Sequence, residues 1–223
     1  MRVLLFDIDG TLIRSGGAGK AAMEEGLKSA FGIREIFDTV SYSGRTDPGI
    51  SRELLELHGI EPNEMNLERL KSAYLSHLPA KLRENGGNIL PGVADILQLD
   101  RRGTAVGLLT GNIRAGAEIK LRHFDLWHHF AFGGFADGYP SRNDVARHAL
   151  NVAETHLAMK VEPSRVWVIG DTPLDVECAR SIGARAVLVG TGWHTHDELV
   201  DSKPDYLLPD LTHFGPLLAE WGW

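Results

Sequence analysis

The sequence predicts an α/β fold: a Rossmann-like open parallel sheet with one inserted helical region. Three observations carry that prediction. Short apolar runs rich in β-branched residues recur along the chain and read as strands buried on both faces. Helical patterns separate them. One long stretch, 15–88, shows helical patterns and no convincing strand. Strand and helix in alternation imply right-handed crossovers and a parallel sheet. Such sheets collect ligands at the carboxyl ends of their strands, so the residues just after each strand are where chemistry is expected.

The elements follow in order. Val3 to Phe6 is the first strand. In the insertion, Met23, Leu27, Ala30 and Phe31 form one helical stripe, and Ile50, Leu54 and Leu57 a second. Leu67, Leu70, Tyr74 and Leu78 make a third, which Pro79 is expected to bend or end. Gly16-Gly17 on one side, and Gly86-Gly87 with Pro91-Gly92 on the other, fit linkers or hinges. The expected division is a core of 1–14 and 89–223 and a helical cap of 15–88. Beyond it, Val93, Ile96 and Leu97 read as helix, and Ala105 to Leu109 as strand. Phe130 to Phe132 is a weaker strand candidate. Val145, Ala149, Val152, Ala153 and His156 fall at helical spacing, and Val166 to Ile169 and Ala186 to Val189 close the set of strands.

Composition bounds the function classes. The chain has 223 residues, 43% hydrophobic and 24% charged, which excludes low-complexity disorder. Its formal net charge of −7 argues against nucleic-acid binding through a phosphate-neutralising surface. Any phosphate site must therefore be built locally. The single cysteine, Cys178, forms no internal disulfide and reads as a small buried hydrophobe in a reducing compartment. Val3-Leu4-Leu5-Phe6 meets Asp7 too soon for a signal peptide, and no apolar run approaches the roughly 20 residues of a membrane helix. A soluble cytoplasmic protein, monomer or homodimer, with no membrane or nucleic-acid partner is expected.

Three strand ends carry chemistry. After the first strand comes Asp7-Ile8-Asp9-Gly10-Thr11. Alternate residues of an extended chain point the same way, so Asp7 and Asp9 can share a site. Two close carboxylates repel unless a cation sits between them, and Mg²⁺ suits oxygen ligands. A plain capping turn is the alternative. The second is Thr110-Gly111-Asn112, where a strand feeds a helix: either an anion site at the helix start or simply a Thr or Asn N-cap. The third is Gly170-Asp171-Thr172-Pro173-Leu174-Asp175, with two carboxylates one helical turn apart and Asp171 a possible N-cap. Together these strand ends describe a pocket with an acidic metal corner and an anion corner, which asks for a phosphate ester bridged by Mg²⁺.

In order, spacing and strand context these segments resemble the first, second and fourth motifs of the haloacid dehalogenase-like (HAD) superfamily of phosphohydrolases, and the helical insertion is similar to that family's cap. The arrangement most resembles the phosphoglycolate phosphatase-like branch. The resemblance implies Asp7 as nucleophile, forming an aspartyl-phosphate, and Asp9 as acid and then base. It implies Mg²⁺ held by Asp7, the backbone carbonyl of Asp9, Asp171 and Asp175. Thr110, Gly111, Asn112 and a third-motif cation would neutralise the phosphoryl oxygens. That cation is usually Lys; here Arg142, in Ser141-Arg142-Asn143-Asp144, is best placed. Lys160 lies too near the following strand, and Lys120 is expected on a different helix. An acid at Asp9 favours phosphate monoester chemistry over dehalogenation.

Ser43-Gly44-Arg45-Thr46-Asp47 looks like the family's cap specificity loop, with Arg45, and more weakly Lys20, facing the substrate. The alternative is a turn capped by Thr46 or Asp47. The ten histidines show no metal-ligand spacing; His128-His129, His194 and His196 read as surface or loop residues, and Trp193, Trp221 and Trp223 as packing or tail residues. The expected activity is Mg²⁺-dependent hydrolysis of a small phosphate monoester, phosphoglycolate or similar. A phosphomutase, a pyrophosphatase and a non-catalytic regulatory protein on the same scaffold are the alternatives.

Overall fold

The computed structural model describes residues 1–37, 39–99 and 103–221; Trp223 lies outside them. In chain order the elements are β1 (Arg2–Phe6), β2 (Ile13–Arg14), α1 (Ala18–Phe31), α2 (Asp47–Leu57), α3 (Glu64–Asn85) and β3 (Asn88–Ile89). Then come α4 (Val93–Gln98), β4 (Thr104–Leu109), α5 (Arg114–His123), β5 (Gly133–Gly134), α6 (Arg142–Leu157) and β6 (Val166–Gly170). The chain continues with α7 (Pro173–Ser181), β7 (Arg185–Val189), α8 (His196–Asp201), β8 (Tyr206–Leu208) and α9 (Gly215–Trp221).

The six-stranded sheet has the order β5-β4-β1-β6-β7-β8, and every pairing in it is parallel. β1 is central, with Leu5 opposite both Gly107 of β4 and Val168 of β6. Alternation sorts its side chains. Leu4 and Phe6 join the cluster under α4, α5 and α9, while Val3 and Leu5 join the one under α6 and α7. Trp221 is buried in the first cluster and meets Trp167 edge-on, a packing role as expected.

A third cluster belongs to α1, α2 and α3, with Leu27, Leu54, Leu70, Tyr74, Leu78 and Leu82 at its centre. α1 lies so close to α3 that a side chain at Gly26 would crowd the backbone of Tyr74. The two chain crossings into this helical unit are clamped together: β2 pairs antiparallel with β3, and Leu90 N–H bonds the Leu12 carbonyl at 3.0 Å. Gly16, Gly17, Gly86 and Gly87 beside that ribbon all have positive φ, which fits the expected linkers.

Several expectations need correction. α3 runs through Pro79 to Asn85, so the proline removes one N–H without ending the helix. Leu57 is exposed, and Leu55 instead fills the face of α2. His156 does fall on α6, on its exposed side. The fifth strand is Gly133–Gly134 rather than Phe130 to Phe132, although the Phe132 carbonyl still accepts from Leu108 N–H at 3.1 Å. β-branched enrichment is blind to this strand, because its residues must be glycine: a Cβ on Gly134 would strike Ala149 of α6. β3, whose first residue is Asn88, and the edge strand β8 were not anticipated.

Candidate active site

The carboxyl ends of β1, β4 and β6 meet under the helical unit and enclose a cavity of about 380 Å³. Asp7, Asp9, Gly111, Asn112, Arg142 and Asp171 line it from below, and Lys20, Tyr42, Arg45, Asp47 and Tyr74 from above. All three strand-end segments therefore converge, as expected from the sequence.

Asp7 leaves β1 with its N–H bonded to the Ile169 carbonyl at 2.9 Å, so the ladder itself fixes the start of the turn. Its carboxylate, with those of Asp171 and Asp175, offers three oxygens within 4.8 Å of one another. All three residues are buried, and among the described residues the cation paired with Asp7 and Asp175 is Arg142. Burial pushes the Asp7 carboxyl up to about 6, with Arg142 opposing and Asp175 adding to the rise. Burial also raises Asp171 well above the usual range, reinforced by Asp175 and Asp7. Three crowded acidic oxygen donors in a buried corner fit a divalent cation. Among the described residues this is the only such cluster, and it contains no histidine.

Asp175 is held on the other side. Its Oδ2 accepts from the N–H groups of Asp171 and Thr172 at 3.2 and 3.1 Å, and from the Thr172 hydroxyl at 2.8 Å. Thr172, rather than Asp171, is thus the N-cap of α7, with Pro173 in its first turn. Asp171 stays available to the pocket and receives the Thr11 hydroxyl at 3.1 Å. Gly10 and Gly192 both crowd the Asp171 carboxylate, so a side chain at either would displace it.

Arg142 opens α6 and is buried. Its guanidinium pairs with Asp175 and lies 3.5 Å from Asp7 Oδ1, which places the sequence-chosen cation in the corner. Cys178 is buried nearby, and burial pushes its thiol up to about 11, which suits packing and not nucleophilic attack.

Asp9 faces away from that corner. Its Oδ2 accepts from Asn112 Nδ2 at 3.0 Å and Lys120 Nζ at 2.5 Å, and its Oδ1 from the Ser15 hydroxyl at 3.2 Å. Burial acts to raise this carboxyl, but Lys120 and the hydrogen bonds outweigh it and hold it below the usual range. The side chain of Asp9 thus stands outside the metal-type cluster, which leaves its backbone carbonyl for any ligation. Lys120 is the residue that sequence reasoning missed. It does lie on a different helix, α5, but it reaches back two turns to the strand end. No local pattern in the sequence marks it, because its partner Asp9 lies on another element.

The segment Thr110-Gly111-Asn112 is built differently from either expectation. Neither Thr110 nor Asn112 caps α5. The first N–H groups of that helix are taken by carboxylates: Ile113 N–H donates to Asp47 at 2.9 Å and Arg114 N–H to Asp137 at 2.6 Å. Thr110 is fully buried and its Oγ1 accepts from Asn112 Nδ2 at 2.8 Å. The positive, anion-attracting end of α5 is therefore satisfied from within the chain, and Gly111 and Asn112 are what the cavity sees.

The segment 43–47 sits directly on the core. Thr46 caps α2 and its hydroxyl donates to the Pro140 carbonyl at 2.8 Å. Arg45 lines the cavity, but its head pairs with Glu53 at 2.5 Å and donates to the Ser41 carbonyl. Lys20 also lines it, 3.8 Å from Glu24 and above the Tyr42 ring. Trp193, largely exposed at the rim, stacks loosely under Arg14. His128 and His196 are exposed, and His194 lies 3.4 Å from the Ser43 hydroxyl.

Residues 4–180 match the family model for haloacid dehalogenase-like hydrolases. The chain belongs to that family. A phosphoglycolate phosphatase of Synechococcus elongatus is 31% identical over 93% of this chain and 92% of its own length. The validoxylamine A 7'-phosphate phosphatase of Streptomyces hygroscopicus subsp. limoneus is 28% identical over 96% of this chain and 99% of its own. Among solved structures, CbbY from Rhodobacter sphaeroides in complex with phosphate superposes with a TM-score of 0.77 at 22% identity, covering 96% of this chain and 97% of that one. That likeness establishes the HAD fold. Among the described residues, no helix is long and apolar enough to cross a membrane.

Proposed function

We propose that this HAD-family chain is a phosphoric monoester hydrolase that cleaves a small-molecule phosphate, with Mg²⁺ as its divalent ion and phosphoglycolate as the first substrate to test. The observation that carries the reading is the division of labour between the two aspartates of the first turn. Asp7 lies in the acidic corner beside Arg142, while Asp9 is held apart by Lys120 and Asn112. Phosphoglycolate enters through the 31% identical relative of that name. The alpha-helical unit above the cavity acts in this reading as the cap, residues 15–88.

Asp7 attacks phosphorus, and an Asp7–phosphate bond forms as the bond to the leaving oxygen breaks. Asp9 gives its proton to that leaving oxygen, then takes one from the water that cleaves the aspartyl-phosphate. Arg142 and the Gly111 and Asn112 backbone hold the transferring phosphoryl group, with the buried Thr110 supporting Asn112 from behind the cavity wall. Asp7, Asp171, Asp175 and the carbonyl of Asp9 would hold a divalent ion, which would supply positive charge against the phosphoryl oxygens. Arg45 and Lys20 face the rest of the substrate from the cap.

The test is inorganic phosphate release from a panel of two-carbon, sugar and nucleoside phosphates, with Mg²⁺ and with chelator. Release only with the ion supports the reading. Isomerised sugar phosphate without phosphate release identifies a mutase, and no turnover of any ester overturns the enzymatic reading.

A further inference from the structure

We propose that Lys120 is a positioning residue for proton transfer by Asp9; the inference rests on the phosphatase reading and adds a residue to it. Lys120 projects from α5 with its side chain only 6% exposed. Its ammonium lies 2.5 Å from Asp9 Oδ2 and 2.6 Å from Asn112 Oδ1. Asn112 completes the arrangement by donating through Nδ2 to the same Asp9 oxygen at 3.0 Å and to Thr110 Oγ1 at 2.8 Å.

One oxygen of Asp9 is thereby occupied by two donors. The other, Oδ1, meets only the Ser15 hydroxyl among the described residues, at 3.2 Å. The geometry assigns Oδ1 as the proton-carrying atom. Oδ1 takes up a proton from solvent as the anionic ester binds and passes it to the ester oxygen as its bond to phosphorus breaks, and the carboxylate left behind is stabilised by the adjacent ammonium. In the second half, Oδ1 takes a proton from the attacking water as the Asp7–phosphorus bond breaks. Lys120 keeps its own protons throughout. α1 seals the arrangement from above, since a Cβ on Gly19 would come within 3.2 Å of Lys120 Nζ. A long side chain there would push the ammonium off the acid.

The experiment compares Lys120→Met with wild type on an alkyl phosphate and on p-nitrophenyl phosphate, whose phenolate leaves without a proton. Magnesium-dependent turnover by wild type, lost in Asp7→Asn, is the prior condition; its absence defeats the phosphatase reading and not this one. Lys120→Met is expected to lower kcat/KM for the alkyl ester about 100-fold or more and for the aryl ester less than about tenfold. In an Asp9→Asn background the same substitution is expected to cost less than about threefold, because the group it serves is gone. Equal losses on both esters, an undiminished loss in the Asp9→Asn background, or no loss at all overturns the proposal. Should Lys120→Met fail to fold by thermal melt, Lys120→Gln carries the same comparison.

Discussion

The backbone N–H of Asp47 hydrogen-bonds the carbonyl of Gly111 at 2.7 Å, and the Asp47 carboxylate returns to accept from Ile113 N–H at 2.9 Å. The start of α2 is thus stitched to the second strand end twice, once through the Asp47 main chain and once through its side chain. Gly111 allows it, because a side chain there would collide with the Arg45 carbonyl. Gly111→Ala is therefore expected to lift the 43–47 segment. kcat/KM should fall about tenfold or more, and amide exchange in 43–47 should rise while β1 stays protected. Unchanged exchange in that segment would contradict the contact.

The same Asp47 makes stability depend on pH. Burial raises its carboxyl to about 6 from 3.8, with Lys120 opposing. A carboxyl raised in the folded state binds its proton more tightly there than in the unfolded chain. Its contribution is present below about pH 4 and lost as pH climbs through about 6. Asp47→Asn removes that loss. Melting temperatures of variant and wild type should converge near pH 4 and diverge in the variant's favour by pH 7. A constant difference across the range would exclude the titration.

Asp7→Asn is expected to cut turnover by at least about 10⁴-fold while leaving the fold intact, as checked by phosphate release and circular dichroism. Its melting temperature at neutral pH should equal or exceed that of wild type, since a buried, crowded charge is removed. Activity within tenfold of wild type would end the nucleophile assignment.

Mg²⁺ at about 100 times its Kd is expected to raise the melting temperature by about 5–10 °C. Asp171→Asn should reduce that gain sharply, because it removes one of the three clustered carboxylates. An equal shift in both proteins would place the ion elsewhere.

Arg142 bridges Asp175 and Asp7 in a buried setting. Arg142→Lys keeps the charge but loses the fork, so kcat should fall about 10-fold. Arg142→Met leaves two carboxylates uncompensated, and both kcat and melting temperature should drop, the latter most above pH 6. Full activity in Arg142→Met would dismiss it as the third-motif cation.

The core strands and the converging strand ends were legible because they rest on short-range signals: apolar runs, then Asp or Thr at the next position. Arg142 was legible from its place at a helix start. Lys120 was not, because its function depends on α5 folding back over β1, a relationship no local pattern records. Gly133–Gly134 escaped for the opposite reason, since close packing against α6 excludes the side chains by which strands are recognised. The cap of α5 by Asp47 and Asp137 is likewise tertiary, made by residues far from the helix it serves.

The ribbon of β2 and β3 has an evolutionary reading. Because the chain departs at Ile13–Arg14 and returns at Asn88–Ile89 on paired strands, the three helices hang from one stem. Lengthening, shortening or replacing them leaves that covalent path into β1 and α4 as it is, while the contacts of Thr46 with Pro140 and of Asp47 with Gly111 and Ile113 would have to be remade. A graft of another lineage's helices at this point would keep the strand ends of the sheet but lose the Asp47 carboxylate that accepts from Ile113 N–H.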